Sequence, residues 1–191
     1  MKIVSMSGSL RENVGKKDAK ANRNSGKVPC VLYGGSEQIH FVAEEKDFKD
    51  VIFTPEVCFV DLSINGKTYK ATLKDVQYHP VSDKILHVDF LEIIDNKPIV
   101  MYIPLKISGT SPGVLRGGKL VKKMRRLKVK GLADVLPDFL NIDISKLDIG
   151  DSIKVNQITL EGVEFLDVAT SIVVTVLTTR GVEEAAPEGK K

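Results

Sequence analysis

Two alternating runs on either side of an Asn-Gly pair constrain the fold of this 191-residue chain more than any other stretch. From Cys58 to Ile64 every second residue is apolar, and the alternation resumes after Asn65-Gly66, from Tyr69 to Leu73. Asn and Gly both tolerate the positive φ that a two-residue hairpin turn requires. The stretch therefore predicts a hairpin of two half-buried strands and commits this part of the chain to a β-sheet.

Shorter patterns predict further strands around that hairpin. Val4 to Leu10 alternates with serines, Val28–Tyr33 ends at two glycines and returns as Gln38–Ala43, and Ile85–Ile94 follows the hairpin. Helical spacing marks two exceptions, near residues 16–24 and 44–53. We predict a mainly β first domain, residues 1–95, with these two short helices.

Asp95-Asn96-Lys97-Pro98 is typical of a linker, and a second strand-rich domain is predicted at residues 98–179. Pro104 lies within the first strand of that domain, Ile99–Ile107, and favours an edge position for it. Later strands are predicted at 140–145, 153–158, 163–168 and 172–177. Residues 180–191, rich in Ala, Pro, Gly and charge, predict a disordered tail.

A run of cations in residues 11–27 is a candidate binding surface. In a helix over residues 16–24, Lys16, Lys20 and Arg23 stack on one face, and Lys27 continues the stripe if the last turn holds. The segment has too few apolar side chains to bury a face in a core. It indicates either a polyanionic partner or a solvated surface that only maintains solubility, and the run by itself favours neither.

Polar side chains on the two strands around Pro80 define a second candidate surface. Gln77 and His79 share a face of the first strand, and His87 and Asp89 share a face of the second. These residues form either a binding surface or simply the wet face of an antiparallel sheet. A metal site at the two histidines and Asp89 is not favoured, because the sequence places no fourth ligand nearby.

Composition and motifs argue against several functional classes. The net charge of +3 means that an acidic partner must be recognised by local patches. Cys30 and Cys58 lie in apolar runs without redox or metal-binding spacing, which predicts buried thiols in a reducing cytoplasm. No signal peptide or membrane-spanning run is apparent. Because a phosphate loop, a nucleophile elbow and a paired-carboxylate site are missing, we expect no catalysis, cofactor or metal.

Four blocks of sequence, in order, resemble one family. They are Gly15-Lys16 with Arg23 and Gly26–Gly34, then Asp75–Pro80 with Leu86–Phe90, then Gly113–Gly118, and finally Asp143–Asp151. The first two blocks resemble signatures of the bacterial ribosomal protein L-twenty-five family, also known as the general stress protein CTC family. The last two resemble the extra domain of its two-domain members. The resemblance extends to about Leu177.

This resemblance implies a six-stranded N-terminal β-barrel that binds 5S rRNA in the large ribosomal subunit, followed by a second β-rich domain. The expected protein is a cytoplasmic, non-catalytic monomer within the ribosome, contacting 5S rRNA and possible neighbours such as other ribosomal proteins and 23S rRNA, and no membrane. We expect its cations to meet phosphates and its other polar groups to bond sugar hydroxyls or base edges. The RNA-binding residues so implied, with Lys17 added from the basic run, are Arg11, Lys16, Lys17, Lys20, Arg23, Tyr33, Gln77, His79, His87 and Asp89.

Two alternatives stay open at this point. The function could instead be that of a stress-induced RNA-binding protein acting mainly off the ribosome. A second basic run, Arg116–Lys130, has eight Lys or Arg and no acid, and is either a second rRNA contact or a solvated strand face. The residues of that possible contact are Arg116, Lys119, Lys122, Lys123, Arg125 and Arg126.

Overall fold

The strands of the first half of the chain close into a six-stranded barrel, in the order β1-β3-β2-β6-β5-β4. A computed structural model describes residues 1–179. The elements of this half are β1 (Lys2–Leu10), α1 (Lys16–Asn24), β2 (Lys27–Tyr33), β3 (Ile39–Glu44), a 3-10 turn (Glu45–Phe48) leading into α2 (Lys49–Ile52), β4 (Cys58–Ile64), β5 (Lys67–Tyr78) and β6 (Ile85–Glu92). The prediction of a six-stranded barrel with two short helical segments is confirmed.

The Asn-Gly hairpin forms as predicted between β4 and β5. Asn65 and Gly66 both have positive φ, 49° and 79°, and the strands pair from Ile64 with Lys67 onwards. Every second residue of β4 is buried. The alternation in the sequence therefore corresponds to one wet and one packed face of the barrel wall.

Aromatic rings fill the barrel. Phe41, Phe48 and Phe90 are fully buried, and the Phe41 and Phe90 ring centroids lie 5.9 Å apart. Closure depends on Gly8, because a Cβ at that position would lie 2.6 Å from Cδ2 of Phe41. At this seam β1, which runs parallel to β4 along most of its length, pairs with β3 through two residues only, Ser9 and Leu10.

Helix α1 has no buried residue, which confirms that its sequence could not supply a core face. The expected continuation of its cationic stripe to Lys27 is wrong. The Ser25 hydroxyl donates to the carbonyls of Ala21 and Asn22, Gly26 adopts a φ of 75°, and Lys27 already begins β2. The second helical segment, predicted over residues 44–53, begins one residue later than predicted, since Glu44 still belongs to β3.

The second half of the chain is also β-rich. Its elements are β7 (Ile99–Ser108), α3 (Pro112–Leu115), β8 (Lys119–Lys122), β9 (Arg126–Gly131), β10 (Leu140–Asp143), β11 (Ser152–Lys154), a 3-10 turn (Val155–Gln157), β12 (Val163–Phe165) and β13 (Ile172–Leu177). They form a four-stranded sheet, β10-β7-β9-β12, and a three-stranded sheet, β11-β13-β8. By contacts the chain divides into Met1–Met101 with Gly131–Asp138, and Tyr102–Lys130 with the chain from Phe139 onwards. The predicted tail at 180–191 lies outside the described residues.

The edge position predicted for the strand containing Pro104 is wrong, because β7 lies between β10 and β9. The amide of Leu105 donates to the Arg125 carbonyl, on the β9 side. Successive amides of a strand point in opposite directions, so position 104 faces the β10 side. Pairing with β10 begins only at Leu105. The missing N–H of Pro104 therefore removes no hydrogen bond to β10.

Candidate nucleic-acid interface

Three neighbouring barrel strands place polar side chains on one outer surface. In the antiparallel β5–β6 pair, Gln77 lies directly opposite His87, and Asp75 lies opposite Asp89. On the other side of β6, the parallel strand β2 places Tyr33 next to Leu91, two residues beyond Asp89. The register therefore brings together Tyr33, Gln77, His87 and Asp89, as the sequence pattern predicted for the last three.

His87 and Asp89 form a close pair on this surface. Nδ1 of His87 lies 2.7 Å from Oδ1 of Asp89, and the two side chains are 30% and 29% exposed. The carboxylate lies off the ring N–H direction, so Nδ1 is buried without an aligned hydrogen-bond partner. The carboxylate consequently keeps most of its capacity to accept hydrogen bonds from a ligand.

Two carboxylates and a phenol make this surface a donor–acceptor array. Burial, and then the charges of Asp89 and Asp75, raise the pKa of Tyr33, so its hydroxyl stays protonated and can donate at neutral pH. Like charges directly opposite in an antiparallel pair are destabilising. A ligand that donates hydrogen bonds to Asp75 or Asp89 would offset that cost.

Helix α1 supplies cations beside this array. Lys16, Lys17 and Lys20 are exposed, and the first two occupy the first turn, where the positive end of the helix dipole disfavours cations. Arg23 is partly buried, and its Nη1 donates to the carbonyl of Leu86 over 3.3 Å. This hydrogen bond joins the last turn of α1 to β6, one residue before His87.

Two of the predicted site residues have partners inside the protein. Arg11 donates through Nη2 and Nε to Oδ2 of Asp18, over 2.6 and 3.0 Å, and its side chain is only 7% exposed. Its guanidinium thus fixes the end of β1 to α1 and is not presented to the surface. His79 lies one residue beyond β5, and its Nδ1 accepts from the amides of Val81 and Ser82. The turn, and not the sheet face, orients its ring and leaves Nε2 as the free nitrogen.

Asp75 is the member of this surface that the sequence reasoning missed. Asp75 lies two residues before Gln77 on the same strand, a spacing that could have indicated the same face. Only the register, however, shows that it lies opposite Asp89. In the part of the chain that the structure describes, no group of three or more His, Cys, Asp or Glu side chains is arranged to hold a metal ion. Within residues 1–179 no helix is long and apolar enough to cross a membrane.

The second basic run is divided between the two sheets of the second half. Lys119 and Lys122 belong to β8, whereas Arg126 begins β9. Arg116 is ion-paired with Asp148, and Nζ of Lys122 donates to the Leu105 carbonyl. The other four residues that the sequence singled out are exposed, namely Lys119, Lys123, Arg125 and Arg126.

Fold and surface together define a class: a β-rich protein with two successive modules, whose barrel carries a cationic helix beside a polar sheet face. Two family models match successive parts of the chain. Residues 6–90 match the Ribosomal L25p family, and residues 98–180 match the C-terminal domain of ribosomal protein TL5. The chain belongs to the Ribosomal L25p family, in its two-domain form.

Three full-length relatives are 41–44% identical to this chain. A protein of Bacteroides fragilis is 41% identical over 196 residues, covering 100% of both chains. One of Cytophaga hutchinsonii is 44% identical over 192 residues, again with 100% of both covered. One of Porphyromonas gingivalis is 41% identical over 188 residues, covering 97% of this chain and 98% of its own. Each of the three is named large ribosomal subunit protein bL25.

Proposed function

We propose that this chain is a non-catalytic constituent of the large ribosomal subunit and that its barrel binds 5S rRNA. The interface, here called the barrel face, consists of Lys16, Lys17, Lys20, Arg23, Tyr33, Gln77, His87 and Asp89. One observation carries this assignment: the Arg23–Leu86 hydrogen bond fixes the cationic helix to the strand that bears His87 and Asp89. The names of the relatives support the ribosomal role, and none of these three describes a protein acting off the ribosome.

The two parts of the barrel face have different tasks in this proposal. The cations of α1 meet phosphates, which supplies affinity and register but no sequence information. Gln77, His87 and Asp89 read sugar hydroxyls and base edges, which are accessible in the shallow minor groove of RNA or where pairing is irregular. Asp89 would accept from a base amino group, because a carboxylate cannot face phosphates without repulsion.

The proposal includes the domain limits drawn from the sequence. Residues 1–95 form the RNA-binding domain and residues 98–179 a second domain, and the protein acts as a monomer on the cytoplasmic ribosome. His79 belongs to the interface only through Nε2. Arg11 serves it indirectly, by holding α1 through Asp18.

Ribosome association tests the proposal directly. In a sucrose gradient, the variant Lys16→Gln/Lys20→Gln is expected to dissociate from the large subunit at a salt concentration at which the unmodified protein still co-sediments. The reason is that counterion release makes contacts with phosphates salt-dependent. The matched control is Lys46→Gln/Lys49→Gln, which removes two exposed cations from the other helical segment of the barrel. If the control dissociates as readily, or if the unmodified protein never co-sediments, the proposal fails.

A further inference from the structure

The outer face of the four-stranded sheet combines cations with an aromatic ring. Strand β7 buries alternate residues and turns Tyr102 and Lys106 to the other side. Strand β9, its neighbour, buries Leu127 and Val129 and turns Arg126, Lys128 and Lys130 outwards. Tyr102 is 54% exposed, so its ring is accessible to a ligand on this side of the sheet.

Phe139 holds one of these cations in place. The ammonium of Lys106 lies 3.8 Å from the centroid of the Phe139 ring, which is 41% exposed. A cation–π contact of this kind fixes the lysine without neutralising its charge. Tyr102 stands four residues from Lys106 on the same side of β7, about 13 Å along the strand. The face thus presents a positioned cation at one end and an exposed ring at the other.

Few acids offset the positive charge of this face. Glu164 pairs with Lys130 over 3.3 Å. The Asp143 carboxylate on β10 accepts from the amide and hydroxyl of Ser145, and the Asp167 carboxylate accepts from the backbone amide of Lys128 over 2.7 Å. Among residues 1–179 no acidic group pairs with the side chains of the three remaining cations, which are Lys106, Arg126 and Lys128.

We propose that this surface is a second RNA-binding site, in which an unpaired base stacks on Tyr102 and phosphates are held by Lys106, Arg126 and Lys128. Stacking on an exposed aromatic ring combined with a positive groove is how proteins bind single-stranded RNA without base-specific contacts. We call Tyr102, Lys106, Arg126, Lys128 and Phe139 the basic sheet face. It shares no residue with the barrel face and goes beyond the proposed 5S rRNA binding.

This proposal differs from the second contact suggested by the basic run alone. Arg116 and Lys122 are already engaged by Asp148 and by a backbone carbonyl. Lys119 and Lys123 are attached to β13 of the three-stranded sheet, through strand pairing and through the Lys123 amide. Only the end of the run joins the backbone of the sheet that carries Tyr102 and Lys106: the Arg125 carbonyl accepts from the Leu105 amide, and β9 begins at Arg126.

The test uses the full chain with Lys16, Lys17 and Lys20 changed to Gln, so that the barrel face contributes little. Its probe is a labelled single-stranded RNA of about 12 nucleotides, followed by anisotropy across a salt series. Lys106→Gln/Arg126→Gln/Lys128→Gln should reduce the slope of log affinity against log salt by about 2, because each neutralised phosphate of a single strand accounts for about 0.7. Tyr102→Ala should weaken binding by about fivefold or more at unchanged slope, and Tyr102→Phe should restore it.

The matched control is Lys119→Gln/Lys123→Gln/Lys154→Gln, which removes three exposed cations carried by or attached to the three-stranded sheet. It should leave both affinity and slope nearly unchanged. Equal weakening in this control, or an unchanged affinity of Tyr102→Ala, would overturn the proposal. Every protein in this comparison lacks the barrel lysines, so the result does not depend on whether the barrel face binds 5S rRNA. Failure of the basic sheet face can therefore be distinguished from failure of the proposed 5S rRNA binding.

Discussion

Replacing Arg23 by Lys tests whether the contact between α1 and β6 organises the barrel face. The variant keeps the positive charge but loses the guanidinium that donates to Leu86. A hydrogen bond from a charged donor contributes about 1.5–3 kcal/mol, and the 3.3 Å distance in a partly exposed site points to the lower end. About 1.5 kcal/mol corresponds to roughly a tenfold loss of affinity for 5S rRNA if the helix must be docked for binding.

Two readouts separate positioning from charge. The salt dependence of Arg23→Lys should match that of the unmodified protein, since the same number of cations remains. Amide hydrogen exchange along α1 should accelerate even without RNA, because helix opening becomes easier. Lys17→Gln is the control: it removes an exposed charge, lowers the salt slope by about 0.7–0.9, and does not accelerate exchange, because a cation in the first turn does not stabilise the helix. Unaltered affinity and exchange in Arg23→Lys would refute the reasoning.

Three further predictions concern the fold. Gly8→Ala should lower the free energy of unfolding by about 1–3 kcal/mol in a denaturant titration, because the new Cβ meets the buried Phe41 ring, and adding Phe41→Leu should recover part of the loss. Burial raises the pKa of the Cys30 thiol, so it should resist alkylation at neutral pH until the protein unfolds, and rapid labelling of the native protein would contradict this. The hydrogen bond from Arg116 lowers the pKa of Asp148. The ion pair therefore stabilises the fold at pH values above the ordinary carboxyl pKa, and this stabilisation is lost as the pH falls through the lowered pKa. Asp148→Asn should therefore be less stable than the unmodified protein at neutral pH and equal to it in strong acid, by urea titration at both.

Local patterns predicted the strands of the first domain well because most of them alternate apolar and polar residues, whereas the closed barrel was implied only by the family resemblance. The Asn65-Gly66 pair set one register, and alternation around it assigned the inner residues of β4. The helix over residues 16–24 was also predicted correctly, since so polar a segment has no face that could be buried in a sheet. What a local pattern could not supply is the identity of each strand's neighbours.

The errors follow from that missing information. Pro104 suggested an edge strand, but only the point at which β10 begins to pair shows how a central strand accommodates it. The pairing of Arg11 with Asp18, seven residues away, likewise depends on how α1 packs against the end of β1. Asp75 and the sheet face around Tyr102 arise from registers between strands, which no single stretch of sequence contains.

The most direct test of the barrel face is the binding of the full chain to a 5S rRNA fragment across a salt series, for the unmodified protein and for Asp89→Ala. Binding of phosphates by the four cations of α1 predicts a log–log slope of about −3 to −4 for both. Asp89→Ala should bind at least about fivefold more weakly, as expected when a hydrogen bond to a base is removed, while Asp50→Ala, an exposed acid on α2, binds normally. Asp89→Ala removes both the repulsion with Asp75 and the close pair with His87, so a denaturant titration of the variant shows whether weaker binding comes from unfolding. If Asp89→Ala binds as tightly as the unmodified protein, or if the slope is near zero, the barrel face is not the site at which this protein binds RNA.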